Sequence, residues 1–588
     1  VPWLLDLGNC LYISDMELKG AQLVFNDKTI DMVPGKSAFA DELFVEFKTE
    51  QLSPGTRILL TVHPKQKITI KSLKLTFSHA YQSSDRVFCN GYQSWTESRE
   101  YQTTETMHPV KGFAAKYLKH WGDYAFVDYP QQPGKLHSWT YSYVRSGREL
   151  SFIGSLNEFT GFAVVKHSTS TNEITVEKDC SNLELDHSYP AFDLLVTRGS
   201  EQSVFDQYAS LMDIKVPSAK PAVGWTSWYN YYNKVTEQDI IENLTAWTDA
   251  GQPLDVFQID DGYQQQVGDW LDIKPSFPSG MNGIASKIKA AGYKAGVWMA
   301  PFVCDSKSKI FLNQKDWLIK DKAGNPVKLG YIPMWGGWFY GLNFYNQEVQ
   351  KYLSGVIYTM VNKWNYDLLK LDFLYAAAIH PPPNKTRGQV MREAMEFLRQ
   401  QMGDKQMLAC GVPLGSTFGI TDYCRIGPDI HLSWEHKLLE FCGLRERLST
   451  VQSLKSTIGR RQLSGRMFLN DPDVFILRKD NNKLTSDQQY TVLLINTLLG
   501  AYNCTSDLIS TYEGEQLAEL DAMYKWKDST VQSIEDDGNV YNIHFTNDNT
   551  AFVASCNLSN KKQPIRLKQN SMELAPFESI ILAKQNFA

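Results

Sequence analysis

Asp255-Val-Phe-Gln-Ile-Asp-Asp261 is a short apolar run that ends on two carboxylates. Ile284-Ala-Ser-Lys-Ile-Lys-Ala-Ala291 follows with helical spacing, and Lys294-Ala-Gly-Val-Trp-Met-Ala-Pro301 returns to the strand pattern. Strand, helix, strand is the unit of a parallel sheet. The unit recurs on both sides. Upstream, Ala222-Val-Gly-Trp-Thr-Ser-Trp-Tyr229 precedes the helical run from Glu237 to Leu244. Downstream, a helical run from Gln347 to Asn365 leads to Leu368-Leu-Lys-Leu-Asp-Phe373, and one from Gly388 to Met402 leads to Gln406-Met-Leu-Ala-Cys-Gly411. Tyr423-Cys-Arg-Ile-Gly-Pro-Asp429, Met467-Phe-Leu-Asn-Asp-Pro-Asp473 and Ala501-Tyr-Asn-Cys504 bring the count to eight. Eight units in roughly 290 residues predict a (β/α)8 barrel, which typically takes about 250. A doubly wound open sheet is the alternative. The number of units disfavours it, as does the lack of a Gly-rich phosphate loop after the first strand.

The flanks read differently. Ile58-Leu-Leu-Thr-Val62, Ile68 to Phe77 and Gly161-Phe-Ala-Val-Val165 are short, rich in β-branched residues and separated by Gly, Asn, Asp and Ser clusters. They predict an N-terminal β-sandwich. A Pro-containing linker starts at Val216, and short strands resume near residue 512, at Val540 to Phe545, Ala551 to Cys556 and Ile580 onward. The expected division is an N-terminal β-sandwich domain over 1–212, a catalytic barrel over 213–511 and a small C-terminal β-sandwich over 512–588.

The 588 residues suggest about two to four domains. An aromatic share of 12% fits either large cores or sugar-stacking surfaces. The net charge of −6 with no long basic run speaks against a nucleic-acid partner. No apolar stretch approaches the ~18 residues of a membrane span. Nine dispersed cysteines include no CxxC pair, which argues against a metal site and for a reducing, cytoplasmic compartment.

Barrel active sites lie at the carboxyl ends of the strands. There the second unit ends Asp260-Asp261, the fourth carries Lys370 and Asp372, the sixth Arg425 and Asp429, and the seventh Asp471 and Asp473. Lys370 and Asp372 are two apart and share one face of a strand. An inward Lys beside an inward Asp is expected to hold it ionised, as a nucleophile requires. Paired carboxylates are the machinery of glycoside hydrolysis, ~5–5.5 Å apart in retaining enzymes and ~6.5–9.5 Å apart in inverting ones. Such chemistry needs no cofactor.

At these residues the sequence resembles the α-galactosidases of glycoside hydrolase family 36. The likeness rests on Asn90-Gly-Tyr-Gln-Ser-Trp95, Gly224-Trp-Thr-Ser-Trp-Tyr229, Gln258-Ile-Asp-Asp-Gly-Tyr263, Trp298-Met-Ala-Pro301, Lys370-Leu-Asp-Phe373, Cys410-Gly-Val-Pro-Leu-Gly415 and Arg425-Ile-Gly-Pro-Asp429. The resemblance implies a retaining exo-α-galactosidase acting on mainly α-1,6-linked galactose of oligosaccharides such as melibiose and raffinose. It implies Asp372 as nucleophile and Asp429 as acid/base, with a raised proton affinity for the first step. It places Asp260 and Asp261 on the galactose 4- and 6-hydroxyls, Lys370 on the 3- and 4-hydroxyls, and Arg425 near the 2-hydroxyl, orienting Asp429. Trp298 would wall the pocket, Cys410 and Gly411 would meet the 2-position, Trp95 would reach over the mouth, and Trp225 would join the binding site. Trp225 reads equally as a core aromatic and Cys410 as a small buried hydrophobe. Asp471 and Asp473 read as fixing a loop, His431 and His436 as structural. The run Met334 to Tyr340 reads as either an aglycone subsite or loop packing. The same scaffold supports α-N-acetylgalactosaminidase or galactosyl-transfer activity, and a non-catalytic galactose binder is the alternative outside enzymes. Self-association into a homo-oligomer stays open.

Overall fold

The computed structural model describes residues 15–215, 218–567 and 571–587. Cys10 and two residues of the expected linker, Val216 and Pro217, lie outside them.

Eight parallel strands close into a barrel. In order they are Ala222–Thr226, Val256–Ile259, Lys294–Met299, Leu368–Leu371, Gln406–Ala409, Tyr423–Arg425, a seventh in two pieces (Leu469–Asp471 and Val474–Phe475), and Tyr502–Thr505. The seventh strand breaks at Pro472, which has no N–H for the ladder, and at Asp473, held at φ +78°. Its first piece pairs with the sixth strand and its second with the eighth, and the eighth pairs with the first. Most strand residues are buried, as expected of a parallel sheet covered on both faces. Side-chain alternation then sorts them. Gln258 and Asp260 point into the lumen, while Phe257 points outward against Trp225.

The surrounding helices start where their sequences provide caps. Glu237–Ala250, Arg387–Met402 and Ser486–Leu499 each begin with a capping box, from Thr236 with Asp239, Thr386 with Gln389 and Thr485 with Gln488. The fifth unit departs from the regular pattern. Between Ala409 and Tyr423 there is only a 3-10 turn, Leu414–Ser416. The N-terminal domain packs there instead. Ser94 N donates to the Val412 carbonyl at 2.9 Å, and a Cβ on Gly415 would lie 2.7 Å from the Glu158 side chain.

The N-terminal part is a sandwich of a seven-stranded and an eight-stranded antiparallel sheet, with Leu23, Phe47, Leu60, Leu75 and Val176 in the core between them. At the C-terminal end, four strands (Thr530–Asp536, Val540–Asn547, Thr550–Asn557 and Ser579–Ala583) face a two-stranded ribbon. Among the described residues, three α-helices occupy stretches expected to be all-β, the shortest being Gly112–Leu118. Glu201–Met212 ends the N-terminal sandwich, and Gly514–Trp526 follows the eighth barrel strand. Gln516, Leu520, Met523 and Trp526 form the buried face of the latter. Between the third strand and its helix, a three-stranded antiparallel sheet (Val303–Asp305, Lys328–Ile332, Gly337–Gly341) is inserted above the barrel.

Candidate active site

Strand alternation and strand ends bring the polar residues together. Gln258 Nε2 donates to Asp260 Oδ2 at 2.7 Å and to Thr226 Oγ1 at 3.1 Å, joining the first two strands. Lys370 Nζ reaches across from the fourth strand to the same Asp260 oxygen at 2.8 Å. The backbone N–H of Asp261 donates to the other Asp260 oxygen at 2.9 Å. Asp260 is thereby fixed at both oxygens.

Asp261 turns the other way. Its oxygens accept from Gln264 Nε2 at 2.6 Å and from Trp335 Nε1 at 2.8 Å. Burial dominates its environment and lifts its proton affinity to about 6, the two hydrogen bonds opposing. Trp335 comes from the inserted segment, so the run Met334 to Tyr340 does reach the site. Trp335 and Phe339 pack toward Phe373, whereas Trp338 stacks with Tyr117 on the sheet's other side.

Asp372 sits at the end of the fourth strand, fixed by Trp298 Nε1 at 3.0 Å on one oxygen and by the Phe373 N–H at 2.9 Å on the other. The second bond is made possible by Phe373 in the left-handed region, φ +52°. That conformation costs a non-glycine residue of order 1–3 kcal/mol, and such strain collects at functional sites. The expected lowering of Asp372 by the Lys370 charge is present, but it does not set the net direction. Burial raises Asp372, Lys370 only partly opposes it, and Asp429 adds to the rise. The reason is geometric, since the ammonium makes its short contact with Asp260. Burial is the largest influence on the Lys370 ammonium and pulls it down, but Asp260, Cys410 and Asp372 together outweigh it and the net direction is up.

Arg425 leaves the sixth strand into a cage of three carboxylates. Nη1 donates to Asp429 at 2.7 Å, Nε to Asp471 at 3.0 Å, and Nη2 lies 2.9 Å from Asp473. Asp473 also accepts from the Tyr229 hydroxyl and, at 2.8 Å, from the Ile430 N–H. The pair around Pro472 thus does more than fix a loop, because it binds the arginine that binds Asp429. Asp429 is the open member, with 29% of its side chain exposed against 3% for Arg425.

Trp95 enters from the N-terminal domain. Its Nε1 donates to Cys410 Sγ at 3.1 Å, and its ring meets Phe373 edge-on at 4.9 Å. Gly411 has φ +55°, and a Cβ there would lie 2.9 Å from the Trp95 ring. The loop carrying Trp95 is held by Arg460 of the barrel, which is fully buried. Its guanidinium donates to Asn90 Oδ1 at 2.8 Å and to the carbonyls of Gly91, Gln93, Ser94 and Ile426.

Trp225 does not join the cluster. It lies on the outer face of the first strand, fully buried, stacked on Phe257 at 4.2 Å with its N–H on the Asp507 carbonyl. Thr226, its neighbour, takes the lumen side, so Trp225 is a core residue. His431 and His436 pack on each other beyond Asp429, and the His431 ring bonds Ser433.

The model of the glycosyl hydrolases family 31 TIM-barrel domain matches residues 217–437, from the linker through the strand end at Asp429. A solved α-galactosidase from Thermus thermophilus, in complex with stachyose, superposes with a TM-score of 0.67 at 26% identity, covering 83% of this chain and 99% of that one. The family 36 α-galactosidase AgaA from Geobacillus stearothermophilus superposes with a TM-score of 0.60 at 11% identity, covering 97% and 86%. The chain has the fold of the family 36 α-galactosidases. In sequence the likeness is local. AgaA is 24% identical over 100 residues, 16% of this chain and 13% of AgaA, and the Escherichia coli α-galactosidase is 24% identical over 130 residues, 21% and 17%. These aligned stretches span less than a fifth of either curated relative. The superposition on AgaA, at 97% of this chain, takes in the N-terminal sandwich as well as the barrel.

Two carboxylates of different exposure therefore lie within each other's electrostatic reach, Asp372 oriented at both oxygens and Asp429 partly exposed on a guanidinium. Beside them lies a fixed array of acceptors and one ammonium. That is the equipment for holding a polyhydroxylated ring and cleaving it by acid/base and nucleophilic chemistry.

Proposed function

We propose that the chain is a retaining exo-α-galactosidase of small, mainly α-1,6-linked oligosaccharides. The observation that carries this reading is the pairing of Asp372, buried and aimed by Trp298 and the Phe373 N–H, with Asp429, partly exposed on Arg425. A nucleophile has to be held on one trajectory toward the anomeric carbon, and the two hydrogen bonds that fix the Asp372 carboxylate support that role. An acid/base has to exchange protons with the leaving oxygen and then with water, and Asp429 has the access. In the first step Asp372 attacks, the glycosidic bond breaks and Asp429 gives its proton to the leaving oxygen. In the second, Asp429 takes a proton from water as the water displaces Asp372, so the α configuration returns.

Galactose specificity is assigned to Asp260, Asp261 and Lys370. Buried groups of this kind discriminate because a sugar lacking the matching hydroxyl leaves them unpaired. The corner at Cys410 and Gly411 is filled by the Trp95 ring. That supports galactose over N-acetylgalactosamine, whose acetamido group needs room at the 2-position. Trp335 is added to the binding residues on the strength of its bond to Asp261.

The test is hydrolysis of four p-nitrophenyl glycosides: α-galactoside, α-N-acetylgalactosaminide, α-glucoside and β-galactoside. The α-galactoside alone should be turned over well. A preference for the acetamido sugar would move the assignment to the N-acetylgalactosaminidases, and silence on all four would point to a transferase or a non-catalytic binder.

A further inference from the structure

Arg425 has one charge and three carboxylate partners. Two of them, Asp471 and Asp473, are almost completely buried, while Asp429 is the partner proposed to work as acid/base. The buried two are themselves fixed. The Asp473 N–H donates to Asp471 Oδ1 at 2.9 Å, and the second Asp473 oxygen holds the Tyr229 hydroxyl and the Ile430 N–H, next in sequence to Asp429. Asp473 therefore touches Asp429 by two routes, through the guanidinium and through the backbone that follows Asp429. Its φ of +78° lies in the left-handed region, which aspartate tolerates better than most non-glycine residues.

We propose that Asp473 is a positioning residue that, through Arg425, sets both the orientation and the proton affinity of Asp429. This rests on the α-galactosidase reading and extends it to how the acid/base is tuned. With Asp473 charged, the guanidinium is shared three ways and Asp429 keeps its proton more readily, as the first step needs. With that charge removed, Arg425 turns more of its field on Asp429, favours the carboxylate and weakens the acid. Burial pushes Asp473 above the usual carboxylate range, Arg425 opposes, and Asp429 and Asp471 add to the rise. The groups facing Asp473 are Arg425, Asp429, Asp471, Tyr229 and Cys504. Those facing Asp429 are Arg425, Asp372, Cys410, Asp473, Tyr229 and Tyr232.

The experiment compares wild type, Asp473→Asn and Tyr229→Phe in the full chain. The pH profile of kcat/KM is taken on melibiose, whose leaving group needs a proton, and on dinitrophenyl α-galactoside, whose leaving group does not. On melibiose the alkaline limb of Asp473→Asn should move to lower pH by about 1–2 units. Tyr229→Phe deletes a donor that stabilises the Asp473 charge and should move the limb the same way by less. On the activated substrate the limb should stay in place. Equal losses on both substrates with unmoved limbs, or a limb moved to higher pH, would overturn the proposal. If Asp473→Asn does not fold, Tyr229→Phe decides by the same criterion. A wild-type chain inactive on both substrates would remove the α-galactosidase reading and this one with it, whereas an active wild type with unmoved variant limbs removes only this one.

Discussion

Lys370 and Asp260 meet inside the barrel, Nζ to Oδ2 at 2.8 Å, with both side chains nearly inaccessible to solvent. They come from the fourth and second strands, and the strand between them sets their separation. A buried ion pair adds little net stability, but losing one partner strands a charge and costs about 3–5 kcal/mol. Lys370→Met should therefore lower the urea midpoint sharply. Combining it with Asp260→Asn should cost less than the two single losses summed. Additive losses would mean that the pair is not coupled.

Asp261 makes stability depend on pH with an unusual sign. Its carboxyl holds a proton up to about pH 6 in the folded chain, against ~3.9 for an exposed aspartate. Between those values the folded state binds a proton that the unfolded state has lost. The stability contributed is complete below about pH 4 and is lost as pH rises through about 6, on the order of 2–3 kcal/mol. Asp261→Asn cannot titrate. The difference in unfolding free energy between wild type and this variant should shift against wild type by that amount from pH 4 to pH 7. A difference that stays flat would contradict the burial of Asp261 as an acid.

Much of this site was legible in the sequence, for a physical reason. In a parallel barrel the strand ends share one face, so Asp260, Lys370, Asp372, Arg425 and Asp429 could be grouped from their positions alone. What failed depended on contacts that strand order does not encode. Lys370 sits two residues from Asp372, yet its short bond crosses to Asp260. Trp225 follows a glycine in a strand, and the chain alone does not say that its neighbour Thr226 takes the lumen side. Trp335 reaches Asp261 from an inserted segment 74 residues away. Asp473 looks like a loop residue until its ion pair with Arg425 and its bond from Tyr229 are seen. The helix Gly514–Trp526 did have a signal, its apolar residues recurring every three or four positions, beside the more conspicuous strands that follow.

Arg460 tests whether the N-terminal domain contributes to the pocket. Its guanidinium satisfies one side-chain oxygen and four backbone carbonyls in the loop before Trp95 and at Ile426. Arg460→Met leaves these acceptors buried and unpaired, at about 1–3 kcal/mol for each that finds no water. The variant should lose several kcal/mol of stability in urea unfolding. At a temperature where it remains folded, kcat/KM on an α-galactoside should still be about tenfold or more below wild type. Retained activity in the folded variant would show that the Trp95 loop does not need this anchor.

The two carboxylates should fail differently. Asp372→Asn should abolish turnover of every substrate, aryl galactosides included, because no covalent intermediate can form. Asp429→Ala should still release nitrophenol in a burst and then stall, and azide should restore turnover by attacking the waiting intermediate. Identical behaviour in the two variants would reverse or void the assignment of roles.

Hydrolysis of p-nitrophenyl α-galactoside followed from the first turnovers by proton NMR tests the account most directly. Two displacements, Asp372 and then water, predict that the α-anomer of galactose appears first and that the β-anomer grows in only by mutarotation. The β-anomer appearing first would mean a single inverting displacement and would contradict the role given to Asp372.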